Sequence, residues 1–217
     1  EKSIGIINNF SKAIDICSGD YIAISDQDDV WMSTKLEETV NFLKNMEKKY
    51  GKSFPLLVHS DLTVVDEELN VQNESMMRSQ HINNEDDSRS ALGILLANNY
   101  VTGCTVVINK ELKNLSLPIP SEAIMHDRWL ALVAASSGAI GFVDKPLIFY
   151  RQHGNNQVGA RKYFSYANVK KFFQCSYMYE HILKTVQQNK RIWEKYQNPY
   201  VGKYIFFLKE KNLLGLW

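Results

Sequence analysis

Apolar or small residues at Phe10, Ala13, Ile14 and Cys17 fall on the i, i+3, i+4, i+7 stripe of a helix spanning Asn8 to Ser18. Gly19 follows where a helix-ending glycine belongs. The next run, Asp20-Tyr21-Ile22-Ala23-Ile24, reads as a buried strand. It opens directly into Ser25-Asp26-Gln27-Asp28-Asp29-Val30-Trp31, so three carboxylates stand where a strand ends. Thr34-Lys35-Leu36-Glu37 has capping-box spacing and predicts a helix with Leu36, Val40, Leu43 and Met46 inward, stopped at Gly51. Phe54 to His59 reads as a second apolar strand running into Ser60-Asp61. Thr63 to Val65 is a short extended piece before the turn Asp66-Glu67-Glu68.

From Gln72 to Ser88 the chain is polar and aperiodic, which predicts a long mobile loop in which Met76 and Met77 serve as adaptable contacts. Ser90 to Ala97 is a helix carrying Leu92, Leu95 and Leu96, and Cys104 to Ile108 is a strand after the Thr102-Gly103 break. Leu117-Pro118-Ile119-Pro120 continues neither a helix nor a central strand. Asp127 to Ala135 is a helix, and Ile140–Val143 and Leu147–Tyr150 are two further strands. Beyond Arg151-Gln152-His153-Gly154-Asn155-Asn156 the character changes. Residues 160–217 are expected to be helical and rich in aromatics and lysine, their aromatic stripe packing onto the sheet domain. The domain expectation is therefore 1–159 for an α/β unit and 160–217 for a helical appendage.

Composition narrows the field only modestly. The 217 residues are 45% hydrophobic and 23% charged, ordinary for one globular domain, and a net charge of +1 gives no reason to expect a nucleic-acid partner. Cys17, Cys104 and Cys175 are far apart and odd in number, which fits a reducing, cytoplasmic setting better than a disulfide framework or a zinc site. No apolar run approaches the ~18 residues of a membrane span.

Packed acids at a strand end repel one another and add nothing to a core, so a cation is expected between them. In α/β sheets such strand ends are where ligands bind. Mg²⁺ suits the place, because it takes one or two carboxylates and leaves its other positions to water and phosphate. The bland alternative is a solvated acidic turn. An EF-hand is a poor fit, since its Gly and later Glu are absent at the fixed offsets. A nucleotidyl- or phosphotransferase would need a phosphate loop, and no Gly-x-x-x-x-Gly-Lys occurs. A non-catalytic carbohydrate-binding or assembly module is the non-enzymatic alternative.

Taken in order, four further groups of residues carry a family resemblance: Gly19-Asp20-Tyr21 leading into Asp26-Gln27-Asp28-Asp29-Val30-Trp31 and Lys35; Val101-Thr102-Gly103-Cys104; His126-Asp127-Arg128-Trp129; and Tyr150-Arg151-Gln152-His153-Gly154-Asn155-Asn156. The set resembles the family-2 inverting glycosyltransferases of GT-A fold, in particular the bacterial rhamnosyltransferase-like branch that assembles surface polysaccharides. The likeness runs over about residues 3–160. It implies a mixed α/β sheet flanked by helices, a nucleotide-diphospho-sugar donor, a saccharide or lipid-linked acceptor, and Mg²⁺ or Mn²⁺. It also implies roles. Asp28 is the direct metal ligand, with Asp26 on the ribose or a metal-bound water and Asp29 able to replace either. Asp127 is the catalytic base, although His126 stands where many relatives carry Glu. Arg151 and His153 are placed to reach the diphosphate or the metal, with loop hydrogen bonding the equal alternative for both. Trp31, Gly103, Cys104, His126 and Trp129 are candidate site or acceptor walls, both tryptophans equally suiting the core, and His59 and Asp61 line the site at most. A GT-A fold opens with more strand and helix than precedes Asp26 here, so roughly 60 residues of donor-binding half are expected upstream. Without them a sheet edge would invite self-association, and a lipid-linked acceptor would bring the protein to the inner face of a membrane.

Overall fold

In the computed structural model of the protein, residues 3–80, 88–152 and 175–210 are described. The chain forms α1 (Ile6–Ile16), β1 (Tyr21–Ala23), β2 (Val30–Trp31), α2 (Lys35–Tyr50), β3 (Leu56–Val65), β4 (Val71–Asn73), α3 (Met76–Ser79) and α4 (Ser88–Ala97). A 3₁₀ turn at Gly103–Thr105 leads to β5 (Val107–Asn109), α5 (Lys110–Ser116), α6 (His126–Ser137) and β6 (Ala139–Arg151). Two helices follow, α7 (Cys175–Tyr196) and α8 (Pro199–Glu210).

The sheet order is β1-β5-β3-β6-β2, with β4 pairing β3. β3 and β6 run parallel from Leu56↔Ala139 to Val65↔Arg151, and every other pairing is antiparallel. The expected short pieces at 54–59 and 63–65, and at 140–143 and 147–150, are thus two long strands. Their register shifts on either side of Asp61, and that irregularity absorbs the polar interruption which made each look like two.

Side chains alternate across this sheet, so it has two buried faces. Leu57 and Ile108 join a cluster with α1, α4, α5 and α6, while Leu56, Val58 and Val107 join Leu43 and Met46 of α2. The ten residues of β3 are all buried, the pattern of a central strand covered on both sides. Asn109 ties the layers together. Its Oδ1 accepts from Leu56 N at 2.9 Å and Leu112 N at 3.0 Å, capping α5, and its Nδ2 donates to Phe54 O at 2.8 Å.

Two expectations need correction. The inward face of α2 is Lys35, Thr39, Leu43 and Met46, while Leu36 is 47% exposed; Thr34 gives no side-chain cap bond. The helix is rotated because Lys35, not Leu36, is drawn under Trp31. The stretch read as a long loop from Gln72 holds β4 and α3 instead, with Met77 buried. Asp61 seats it: its carboxylate accepts from Ser75 Oγ at 2.5 Å, Met77 N at 3.1 Å and Leu62 N at 2.8 Å. Residues 81–87 lie outside the described residues.

The C-terminal helices share the main core through Ile192 and Val201. Asn189 Nδ2 donates to Leu96 O at 2.9 Å, Tyr196 OH to Leu115 O at 2.9 Å, and Asn198 Nδ2 to Ser136 O at 2.8 Å. The aromatic side chains expected to pack from 163 to 179 lie outside the described ones.

Candidate active site

The acidic loop is anchored at both ends. Ile24 N donates to Val106 O at 3.0 Å, continuing the β1–β5 edge, and β2 pairs with β6 through Val30↔Phe149 and Trp31↔Ile148. Arg151, at the end of β6, closes it. Its backbone N–H donates to Asp29 Oδ1 at 3.0 Å, its Nε to Asp28 O at 3.0 Å, and its Nη1 to Glu67 O. Of the two roles expected of the Arg151 guanidinium, a diphosphate contact or loop hydrogen bonding, it makes the loop bonds here. His153 lies outside the described residues.

Within the loop, carboxylate oxygens of Asp26 and Asp29 and the Cys104 sulfur all lie within 4.8 Å of one another. Asp28 stands outside that group of three, but its negative charge acts on both acids. Burial, then the Asp28 charge, raises the Asp26 carboxyl. Burial pushes Asp29 up to about 6, against the lowering effect of the nearby Cys104 thiol and of the bond from Arg151 N–H. Cys104 is driven well above the ordinary thiol range by burial and by the Asp29 charge, so it is a protonated thiol.

Asp127 approaches from the other side, in the first turn of α6, where Met125 is the N-cap. Its Oδ2 accepts from Gly103 N at 3.2 Å and its Oδ1 from Arg128 N at 2.5 Å. Burial pushes it up to about 6, and the charge of Asp26 adds to the rise. The Gly103–Thr105 turn therefore joins the two acidic groups, Gly103 touching Asp127 and Cys104 touching the loop. A Cβ on Gly103 would lie 2.8 Å from His126 Nε2, so the close approach requires glycine. His126 stacks on Phe10 at 3.7 Å, both ring nitrogens buried without a partner, and burial pushes it down to about 4.

The tryptophans separate. Trp31 is half-buried beside the loop, whereas Trp129 is fully buried and donates to Ser116 O at 2.9 Å. Two residues beyond Asp127 on a helix point the other way, so Trp129 is core and no site wall. Asp61 and His59 are likewise inside the sheet: Asp61 is fully bonded, and His59 packs between Tyr100 and Phe142. Lys35 was missed as a site residue. It is wholly buried, with Nζ 3.5 Å from the Trp31 ring centroid. Its place in the sequence group with Trp31 was the available signal.

The donor set fits a hard divalent cation. Clustered carboxylates that raise one another's proton affinity, with the Asp29 Oδ2 atom buried and unpartnered, are what a hard cation relieves. A neutral thiol is a poor ligand for Mg²⁺ or Mn²⁺, so the carboxylates rather than Cys104 are the suitable ligands.

Residues 1–51 match the model of glycosyl transferase family 2, a span that takes in β1, the acidic loop and α2. A dTDP-rhamnosyl transferase, RfbG, of Shigella flexneri is 30% identical over 162 residues, covering 69% of this chain and 48% of the relative. The chain resembles glycosyl transferase family 2. It spans about half the length of the curated relative it matches. Its mixed sheet between helices is GT-A-like, as the resemblance implied.

Proposed function

We propose that this chain works in the transfer of a sugar from a nucleoside-diphosphate donor to a hydroxyl of a saccharide or lipid-linked acceptor, with inversion, during assembly of cell-surface polysaccharide. Rhamnose on dTDP is the first donor to test, because that chemistry is named in the relative. The observation that carries the reading is the acidic loop facing a second carboxylate: Asp26 acts electrostatically on Asp127 across the Gly103–Cys104 turn. Two carboxylate groups in one place suit a reaction that needs negative charge held at a leaving group and a proton removed from an acceptor.

In this reading Asp26 and Asp28 would hold Mg²⁺ or Mn²⁺, which would supply positive charge against the departing diphosphate. Asp127 takes the acceptor hydroxyl proton as the oxygen bonds to the anomeric carbon and the sugar–phosphate bond breaks, its electron pair leaving with the nucleoside diphosphate. The Gly103 N–H holds one Asp127 oxygen in place. Arg151 fixes the loop and His153 would be a diphosphate ligand, while Trp31, Gly103, Cys104 and His126 form the wall. Residues 1–159 would be the transferase unit and 160–217 a second region, whose helices α7 and α8 pack on the first. No described helix is long and apolar enough to cross a membrane. A cytoplasmic site at the inner membrane face would suit a lipid-linked acceptor.

The test is nucleotide release from a donor panel, with and without Mn²⁺. Asp28→Asn and Asp26→Asn should lose metal-stimulated donor binding and keep their circular dichroism. Unchanged dTDP affinity in both variants with Mn²⁺ present would remove the metal role.

A further inference from the structure

Residues 199–208 of α8 carry one charged side chain, Lys203, and no acid. Val201 is buried, and Tyr204 and Ile205 pack against the main core. Pro199, Tyr200, Lys203, Phe206 and Phe207 are exposed, and at 3.6 residues per turn they share one face of about 120°. A helix that is apolar on both sides is normally covered on both. α7 widens the exposed side. A Cβ on Gly202 would lie 2.8 Å from Trp193 Nε1, so the partly exposed indole lies against α8 there. Lys190, one turn before Trp193, is exposed as well. Neither Lys190 nor Lys203 has a carboxylate at ion-pair distance among the described residues.

The direction of α8 ties this face to the site. The helix starts beside the C-terminal end of α6, where Asn198 Nδ2 donates to Ser136 O at 2.8 Å. Further along, Tyr204 acts electrostatically on Arg128, the neighbour of Asp127. Phe206 and Phe207 follow, toward the end of α6 that carries the carboxylate on the acceptor side. We propose that the exposed face of α8, from Pro199 to Phe207, docks this chain on an anionic lipid bilayer. The assignment rests on the lipid-linked acceptor of the reading above and gives that acceptor a surface to arrive on. Tyr, Phe and Trp side chains beside lysines suit the headgroup layer, where rings leave water and ammonium groups meet lipid phosphates. A second copy suits the face less well. In a twofold dimer the face would meet itself and bring its lysines together with no acid to offset them.

Flotation of the full chain with vesicles of phosphatidylglycerol and phosphatidylethanolamine tests the surface. The parent should float with them, less so as salt is raised, and less on vesicles of phosphatidylcholine alone. Phe206→Ser/Phe207→Ser should weaken partitioning about tenfold or more, because two rings no longer leave water. Lys203→Gln should weaken it about fivefold, on the anionic vesicles only. Both variants should keep the parent's Tm, since the altered side chains are exposed. A parent that stays in the soluble fraction, or a double variant that floats as well as the parent, would overturn the proposal.

Sedimentation equilibrium without lipid tests the competing occupant. A parent dimer that the double phenylalanine variant turns into a monomer, with no flotation of either, would give the face to a second copy and overturn the proposal. Failure of the transferase reading shows separately. A parent that floats through this face and releases no nucleotide from any donor keeps the membrane surface and removes the proposed activity. A parent that releases nucleotide and never floats keeps the activity and removes the surface.

Discussion

Asp61 and Asp29 are both acids turned into the protein, and their surroundings are opposites. Asp61 lies in β3 with every carboxylate oxygen engaged, by Leu62 N, Met77 N and Ser75 Oγ. Through Ser75, which caps α3 by accepting from Arg78 N at 3.1 Å, it seats a whole segment on the sheet. Asp29 has one oxygen engaged and one stranded; Trp31 Nε1 and Lys35 Nζ, a few residues on, are stranded too, and His126, next to Asp127, has both nitrogens in that condition. Buried polar groups in folded proteins are normally satisfied, because an unmade bond costs more than a made one gains. Complete satisfaction marks Asp61 as architecture. The concentration of unmet groups around the acidic loop and Asp127 marks a place built for something besides folding.

The sharpest break of this comparison is Asp127→Asn. It should keep the fold and donor binding while transfer falls by about 10²–10⁴, the worth of a general base. Transfer in the parent should also rise with pH through about 6, since Asp127 must be ionised to accept a proton and burial holds it up to about 6. Transfer within tenfold of the parent in the Asn variant, read by nucleotide release, would leave Asp127 as a helix-terminal acid only.

Asp61→Ala should do the reverse. Stranding Ser75 and two backbone N–H groups should cost about 3 kcal/mol in denaturant unfolding, with Mn²⁺ affinity in the remaining folded protein unchanged. A shifted Mn²⁺ affinity at parental stability would make Asp61 part of the site after all.

Next in size is the acid limb of stability. Burial pushes His59 and His126 down to about 4, below the ordinary 6.5. The unfolded chain binds their protons first, so their contribution is present above about 6.5 and is lost as pH falls toward 4. By pH 5 each should cost about 2 kcal/mol. His59→Phe, placing one more ring between Tyr100 and Phe142, should flatten this limb in a pH series of thermal melts. An unchanged limb would show that His59 is accessible to protons in the fold.

The smallest change is Gly103→Ala. Its Cβ would press on His126 Nε2, and a core overpacked by one methyl loses about 1 kcal/mol. Because Gly103 also holds Asp127, transfer should fall further than the Tm suggests. A Tm loss with full activity would detach this turn from the site.

Local pattern along the chain was enough for α1, β1, the acidic turn, the stop at Gly51 and the start of α6, because each depends on neighbours within a turn or two. Gly51, for example, has φ of +99°, a backbone conformation that glycine adopts freely. The order of the motif residues was also enough to point to family and site, since those residue types follow from the chemistry. Other features were decided only by the tertiary structure. His59, Ser60 and Asp61 break the apolar pattern of β3, and only the partners brought by Ser75 and Met77 make it one buried strand. The helical periodicity of α2 favoured Leu36 as the inward residue. Lys35 is inward instead because the Trp31 ring that it packs on is put in place once β2 has paired with β6. Burying a charge depends on groups distant in sequence, and no local pattern carries that information.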